Sequence, residues 1–249
     1  MPHRILSVDE VAEYLNLQRA DIERLVKFDG MPHSPRGDRV VFLRSEVDAW
    51  ASQRILGLPQ KRLADYHQRS TRGTHAVLHQ DTMVPGILRP EFIAPALASK
   101  TKKSVLRDMV ALADRTGLVT DARELLTSVE EREALCSTAL AGGLALLHAR
   151  FHHQFRFDSS FLVVGRTLQD IHFGAPDGRP SRLFFLICCQ EDRLHLHTLA
   201  RLCLMAHKTA LIARLLEAND AQTMYDVLLD AEQTVLYGKK PAATAEAGN

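Results

Sequence analysis

The chain has 249 residues, of which 46% are hydrophobic and 24% are charged, and its formal net charge is +1. This length allows one large or two modest globular domains. The longest apolar run, residues 183–189, is too short to cross a bilayer, and the first residues contain no apolar core of signal-peptide length. We therefore expect a soluble, cytoplasmic protein with no membrane partner.

The four cysteines form no C-x-x-C pair; they are Cys136, Cys188, Cys189 and Cys203. Structural zinc sites and disulfide frameworks normally show paired or regularly spaced cysteines. We therefore interpret all four as small core residues, and we expect neither a metal nor a cofactor.

The first fifty residues predict three helices and a hairpin. Residues 7–10, S-V-D-E, fit a capping box, in which the Ser hydroxyl and the Glu carboxylate each accept a hydrogen bond from a free backbone N–H. A second helix is predicted at 19–28, and the sequence S-P-R-G-D-R-V-V-F predicts a hairpin that turns at 36–39. The sequence S-E-V-D at 45–48 is expected to cap a third helix, which carries Trp50.

This order of elements resembles the excisionase/MerR-type winged helix-turn-helix. The resemblance covers residues 5–50 and includes the motif L-S-V-D-E-V-A-E-Y-L. In that fold the second helix enters the major groove, and the wing reaches toward the backbone or the minor groove. The resemblance implies double-stranded DNA as a partner, contacted through Gln18, Arg19, Arg24, Arg36 and Arg39. The alternative is that these side chains only solvate exposed faces.

Residues 53–84 have weaker periodicity and are interpreted as a linker. Between residues 53 and 73, five basic side chains accompany a single acidic one, Asp65. This mild basic stripe is compatible with binding to a phosphate backbone.

The remaining residues predict an α/β domain. Residues 85–98 are expected to form an edge strand or a loop, and apolar runs indicate strands near 144–148, 161–173 and 183–189. Helices are predicted at 101–116, 121–133, 194–216 and 221–229. The polar tail, residues 239–249, is expected to be disordered.

Within this part, an apolar strand ends on a titratable side chain, His148. One interpretation is a core histidine satisfied by a hydrogen bond. However, the surrounding motifs resemble the fructose/mannitol-type and nitrogen-regulatory enzyme IIA domains of the bacterial phosphotransferase system, over about residues 86–237. The matching motifs are Arg132-Glu133, Ser137-Thr138, His148, Asp177-Gly178 and His195-Leu196-x-x-Leu199. The resemblance implies an α/β fold with a mixed sheet flanked by helices.

The resemblance also implies roles for individual residues. His148 would be phosphorylated, His195 would be the second active-site histidine, and Arg132 would bind phosphate. The hydroxyls of Ser137 and Thr138 would also bind phosphate. Imidazole suits this chemistry because a neutral ring nitrogen can attack phosphorus without a general base. An intact site would make the protein a phosphohistidine phosphotransferase.

Three residues depart from the family pattern. Leu147 replaces the usual Pro before the acceptor, and Ala139 and Ala141 stand where glycines are frequent. Because proline fixes the backbone direction and alanine lacks left-handed freedom, these changes bear on the geometry of His148.

The imidazoles have a rival use as metal ligands. His148, His152 and His153 cluster in sequence, and His195 and His197 form an i, i+2 pair. Such a pair shares a face only on a strand, and no cysteine or carboxylate spacing completes a zinc set. We therefore predict no metal site.

We expect a bacterial transcriptional regulator with four segments. These are a DNA-binding winged helix-turn-helix (1–52), a linker (53–84), an enzyme IIA-like domain (85–238) and the tail (239–249). The phosphocarrier protein HPr is the expected donor to His148. One alternative is a degenerate, non-phosphorylated sensor or docking module, and another is a sugar phosphotransferase component that passes phosphate to a IIB partner. Whether the chain forms a homodimer stays open.

Overall fold

The computed structural model describes residues 5–15, 17–78, 82–150 and 157–238, with residues 72–78 described by their backbone only. The predicted disordered tail, residues 239–249, lies outside the described residues. Among the described residues, no helix is both long enough and apolar enough to span a membrane.

The N-terminal part forms the predicted helices and hairpin around a small antiparallel sheet of order β1-β3-β2. Its elements are β1 (Ile5–Ser7), α1 (Val8–Tyr14), α2 (Arg19–Phe28), β2 (Ser34–Arg36), β3 (Arg39–Leu43) and α3 (Arg44–Leu56). The capping box is present, since Ser7 N donates to Glu10 Oε2 at 2.8 Å and Glu10 N donates to Ser7 Oγ at 3.3 Å. At the hairpin turn, Gly37 has a φ of 59°.

The start of α3 differs from its prediction. The helix begins at Arg44 directly after β3, and Leu43 occupies the N-cap position without a side-chain cap. The expected cap at 45–48 is therefore wrong, because the strand leads straight into the helix. Asp48 instead turns inward and accepts a hydrogen bond from the Tyr14 hydroxyl.

The segment expected to be a linker contains a 19-residue helix, α4 (Gln60–Leu78). It packs along a C-terminal helix, α8 (Asp192–Lys208). Its buried positions include Leu63, His67 and Ser70, which follow helical spacing. The apolar pattern in the sequence is weak because two of these three inward side chains are polar.

The C-terminal part contains a five-stranded mixed sheet and its flanking helices. In chain order these are α5 (Val84–Ile87), a 3-10 turn (Pro90–Phe92), β4 (Ile93–Leu97), α6 (Lys102–Asp114), α7 (Ala122–Leu135), β5 (Ala139–Leu140), β6 (Leu144–His148), β7 (Phe161–Ile171), β8 (Ser181–Cys188), α8, α9 (Leu211–Glu217) and α10 (Ala221–Tyr237). The predicted helix at 194–216 is thus two helices, separated at Thr209–Ala210.

The sheet order is β4-β7-β8-β6-β5. The pairs β4·β7 and β6·β8 are parallel, whereas β7·β8 and β5·β6 are antiparallel. The predicted fold class, a mixed sheet flanked by helices with a small winged helix-turn-helix, is confirmed. The residues at 85–98, expected as an edge strand or loop, include the edge strand β4.

Each face of the sheet has its own apolar core. On β6, Leu147 belongs to the core with α6 and α7, whereas Leu146 belongs to the core with α8 and α10. Val47 of α3 and Leu63 of α4 belong to the core that contains α8 and α10. The N-terminal helices therefore cover the α8 side of the sheet, and α8 lies between them and the strands.

Candidate phosphoryl-transfer site

His148 ends β6 and is held by the strand ladder, in which it pairs with Ile187 of β8. Its side chain is 1% exposed. Nδ1 lies 2.9 Å from the carbonyl oxygen of Leu146, which can only accept a hydrogen bond, so Nδ1 carries the ring proton. Nε2 is therefore the nitrogen with a lone pair, and it accepts a hydrogen bond from Arg132 Nε at 3.0 Å.

Arg132 lies in the last turn of α7 and is buried. Its Nη1 donates to the carbonyl oxygen of Cys136 at 3.0 Å. Its Nη2 is buried and has no hydrogen-bond partner, and Arg132 forms no ion pair with any described residue. A buried guanidinium without an acid is costly unless an anion offsets its charge. The site therefore favours an anion beside Nε2 of His148.

His195 lies in the first turn of α8, against His148. The two ring centroids are 4.9 Å apart, with an interplanar angle of 49°. His195 is 1% exposed, and its Nε2 lies 3.3 Å from Ser52 Oγ on α3. The structure thus brings together the three residues predicted to be catalytic, and it adds Ser52, which the sequence did not single out.

The two predicted phosphate-binding hydroxyls have other partners. Ser137 Oγ donates to the carbonyl oxygen of Phe173 at 2.8 Å, and Thr138 Oγ1 donates to Glu133 at 2.6 Å. Glu133 is buried and also forms an ion pair with Lys102 at 2.7 Å. The described residues show no hydrogen bond from either hydroxyl to His148.

The turn before β6 has the glycines that its backbone requires. Gly142 and Gly143 have φ values of 93° and 96°, a region that other residues rarely adopt. The Gly142 N–H donates to Asp177 Oδ2 at 2.9 Å, and this bond is the main cause that lowers the pKa of Asp177. Ala139 lies within β5, where extended backbone suits alanine, and Leu147 lies within the β6·β8 ladder.

A second buried polar network lies farther along α8, and sequence reasoning did not find it. Arg201 is fully buried and forms an ion pair with Glu232 of α10 at 2.6 Å. Glu232 also accepts hydrogen bonds from the backbone of residues 83 and 84. From α4, His67 accepts a hydrogen bond from Arg201, and Ser70 Oγ lies 2.9 Å from His197 Nδ1.

No group of described residues forms a potential metal cluster. His152 and His153 lie outside the described residues. His195 and His197 lie on a helix rather than a strand, so they face different neighbours, α3 and α4.

The predicted DNA-contacting side chains lie on the surface of the N-terminal part. Gln18, Arg19, Arg24, Arg36 and Arg39 are all exposed. Arg19 forms ion pairs with Asp9 at 2.8 Å and Glu23 at 3.0 Å. Arg36 and Arg39 face each other across the hairpin, in register.

Two segments match known families. Residues 86–231 match the model described as phosphoenolpyruvate-dependent sugar phosphotransferase system, EIIA 2, and residues 5–55 match a helix-turn-helix domain. A nitrogen regulatory protein of Bradyrhizobium diazoefficiens is 30% identical over 148 residues, covering 58% of this chain and 94% of that protein. A fructose-specific EIIABC component of Bacillus subtilis is 28% identical over 134 residues, covering 53% of this chain but only 21% of that protein.

Two solved structures share the C-terminal fold. The nitrogen regulatory protein IIA-Ntr from Neisseria meningitidis aligns with a TM-score of 0.53 at 23% identity, over 59% of this chain and 99% of that chain. The mannitol IIA from Escherichia coli aligns with a TM-score of 0.50 at 20% identity, over 57% and 98%. Both resemblances seen in the sequence are thereby confirmed. The chain belongs to the phosphoenolpyruvate-dependent sugar phosphotransferase system EIIA 2 family, and it also contains a helix-turn-helix domain.

Proposed function

We propose that this protein is a transcriptional regulator whose EIIA-type domain is reversibly phosphorylated on Nε2 of His148 by an HPr-like phosphocarrier. One observation carries the proposal: Nε2 of His148 has a lone pair and accepts a hydrogen bond from the buried guanidinium of Arg132. The Nη2 of that guanidinium has no hydrogen-bond partner in the described structure. We further propose that residues 1–52 bind DNA, residues 53–84 connect the domains, and residues 85–238 form the phosphoryl acceptor.

In the proposed transfer, the Nε2 lone pair of His148 forms a bond to phosphorus. The bond between phosphorus and the donor's histidine breaks, and its electron pair returns to the donor nitrogen. The proton on Nδ1 stays in place, held by the Leu146 carbonyl oxygen. Arg132 turns its donors from Nε2 to the phosphoryl oxygens, and His195 supports the developing charge from the other side.

Incubation with enzyme I, HPr and phosphoenolpyruvate, followed by intact mass measurement, tests this step. We expect one acid-labile phosphoryl group on the wild type and none on His148→Ala. His172→Ala, which changes an exposed histidine, is the matched control and should be labelled as the wild type is. An unlabelled wild type, beside a labelled IIA domain in the same tube, would support the alternative of a degenerate docking module.

The DNA-binding part of the proposal rests on the exposed positions of the basic side chains on α2 and the hairpin. Arg39 stands on the wing and is suited to a phosphate contact, whereas Arg19 opens the groove-facing helix. Its ion pairs with Asp9 and Glu23 must exchange for DNA contacts, and this cost favours binding only where a base edge replaces them.

Titration of labelled duplexes over a range of salt concentrations tests this part. Arg39→Ala should reduce the magnitude of the slope of log affinity against log salt by roughly 0.9, and this reduction should be the same for all duplex sequences. Arg19→Ala should cost about 1–3 kcal/mol at preferred sites only. Absence of binding to any duplex at low salt would remove the DNA-binding role and leave the transfer step untouched.

For Ser137 and Thr138, phosphate binding stays a prediction, because each hydroxyl would first have to leave its present partner. Transfer onward to a IIB partner is the remaining alternative. A solved complex of mannitol IIA with phosphorylated mannitol IIB shows that such a partner exists for a protein of this fold. Adding IIB to the phosphorylated chain would distinguish a transport component, which loses its label, from a regulator, which keeps it.

A further inference from the structure

The face of the EIIA domain that carries His148 and His195 is covered by the N-terminal domain. Ser52 of α3 lies 3.3 Å from His195, and the His195 ring lies against His148. Both histidines are 1% exposed. A phosphoryl donor must bring its reacting phosphorus to within about 3–3.5 Å of Nε2. α3 packs on the His195 side of this histidine pair.

Polar contacts join the two domains at the beginning of α8. Arg44 of α3 pairs with the buried carboxylate of Asp192, and Arg193 lies 3.4 Å from Glu13 of α1. Asp48 of α3 is also buried close to Asp192, so one guanidinium offsets two carboxylates. Because Asp192 and His195 are separated by one helical turn, this ion-pair cluster and the histidine pair are neighbours on α8.

The next helix, α4, shares an apolar core with α8 as α3 does, and it adds a buried polar network. His67 and Ser70 join the buried network around Arg201, and Leu63 is fully buried in the shared apolar core. Between α3 and α4 the chain reads G-L-P at residues 57–59, which is the only break between the two helices. Residues 57–59 are therefore the point about which the N-terminal domain would turn if α3 left α8 while α4 stayed in place.

We propose that α3 and the phosphoryl donor compete for the same face of the EIIA domain. In a closed state, α3 shields His148; in an open state, a histidine-phosphorylated donor protein binds in its place. This inference rests on the proposed function. A phosphoryl group on His148 favours the open state, because it adds up to about two negative charges to a buried histidine pair on which α3 packs, and burying charge is costly.

Docking of α3 fixes the orientation of the DNA-binding domain on the EIIA domain, but it does not block access of DNA to that domain. Arg19, Arg24 and Arg39 stay exposed in the closed state, so α3 docking does not cover the DNA-facing side. By linkage, any ligand that favours one state changes the affinity for the other ligand by the same factor.

Acylation of histidines by diethyl pyrocarbonate, followed by peptide mass spectrometry, tests the closed state without any phosphoryl donor. In the full-length wild type, His148 should react at least about tenfold more slowly than the exposed His172. Arg44→Ala leaves Asp48 and Asp192 uncompensated at the interface, and it should speed the reaction of His148 by about tenfold. Arg193→Ala, which removes a more exposed ion pair, should act in the same direction but less strongly. Lys27→Ala, at an exposed position on α2 of the same domain, is the control.

Urea unfolding of each variant shows whether it is folded, and His172 provides the internal rate standard. Equal reaction rates of His148 in the wild type, Arg44→Ala and Arg193→Ala would overturn the competition, whatever happens with phosphoryl donors. If acylation responds as expected while enzyme I, HPr and phosphoenolpyruvate label none of these proteins, the shielding stands and the proposed donor is wrong. Labelling of wild type and Arg44→Ala at the same rate would also overturn the competition.

Discussion

Two buried arginines, Arg201 on helix α8 and Arg132 on helix α7, have different hydrogen-bond and ion-pair partners. Arg201 forms an ion pair with Glu232 and a hydrogen bond to His67, and none of its buried nitrogens lacks a partner. Arg132 donates a hydrogen bond to His148, but among the described residues it forms no ion pair with a carboxylate and its Nη2 has no hydrogen-bond partner. Neither arginine is more than 2% exposed.

Under the proposed function, this difference separates a structural charge, Arg201, from an anion-binding one, Arg132. A guanidinium that is neutralised and fully hydrogen-bonded inside the protein has nothing left to offer a ligand. A buried guanidinium that pairs with no carboxylate is stabilised when an anion binds beside it, because the anion offsets the cost of burying the charge. We therefore expect changes at the two arginines to affect different measurements.

The largest effect is expected from Glu232→Gln, which leaves Arg201 as an uncompensated buried charge. The variant should lose about 3–5 kcal/mol of unfolding free energy, measured by urea denaturation. Glu217→Gln, at an exposed helix end, is the control and should change stability by less than about 0.5 kcal/mol. A loss below about 1 kcal/mol for Glu232→Gln would show that the network does not hold α4 and α10 to α8.

The next largest effect concerns Arg132→Gln, which should separate transfer from stability. We expect the rate of phosphorylation of His148 to fall about 10²–10³-fold, while stability changes by about 1 kcal/mol at most. Arg132→Lys keeps the charge but loses the forked geometry, and it should recover only part of the rate. Arg123→Gln on the exposed side of the same helix is the matched control.

If Arg132→Gln instead lost several kcal/mol of stability and transferred phosphate normally, Arg132 would be a structural residue like Arg201. Rates from rapid-quench labelling and stabilities from urea denaturation decide between these outcomes.

The contrast between these arginines also shows what the sequence can predict. The strand that ends on His148, the capping box at Ser7 and the hairpin are visible because their signals are local: periodicity, spacing and turn residues. The buried network at Arg201 has no local signal, because its members come from three helices. The contact that α3 makes with His195 was also missed, since Ser52 and His195 are far apart in the sequence and meet only after the two domains pack.

A third expected effect is a pH dependence from His67. Burial, and then the charge of Arg201, lowers the pKa of His67 to about 3, compared with about 6.5 when unfolded. The folded state therefore binds fewer protons between these values, and stability falls as pH drops below about 6.5. The slope approaches about 1.4 kcal/mol per pH unit for this one group.

Asp48 acts in the opposite direction, because burial, and then Asp192, raises its pKa to about 7, with Tyr14 and Arg44 lowering it. Its contribution to stability is lost as pH rises through about 7. The difference between wild type and His67→Gln isolates the histidine, provided both are unfolded in urea between pH 7.5 and 5. Parallel stability curves for the two proteins would contradict the assigned shift.

The smallest effect is expected from Ser137→Ala, and it tests whether this hydroxyl belongs with Arg132 or with Arg201. In the present structure Ser137 Oγ donates to the Phe173 carbonyl oxygen at 2.8 Å and accepts from the Ala139 N–H at 3.2 Å. These two neutral hydrogen bonds hold the turn that leads into β5. We expect the variant to lose about 1 kcal/mol of stability, with the transfer rate changed by less than about threefold.

Ser160→Ala is a suitable reference, because Ser160 Oγ likewise accepts a backbone N–H, that of Gln190 at 3.0 Å. If Ser137→Ala slowed transfer by tenfold or more without a matching loss of stability, its hydroxyl would bind the phosphoryl group during transfer. Ser137 would then resemble Arg132, with its hydrogen bond to Phe173 exchanged for one to the phosphoryl group. Equal stability losses in both serine variants, with normal transfer, would instead place Ser137 among the groups whose hydrogen bonds are already complete.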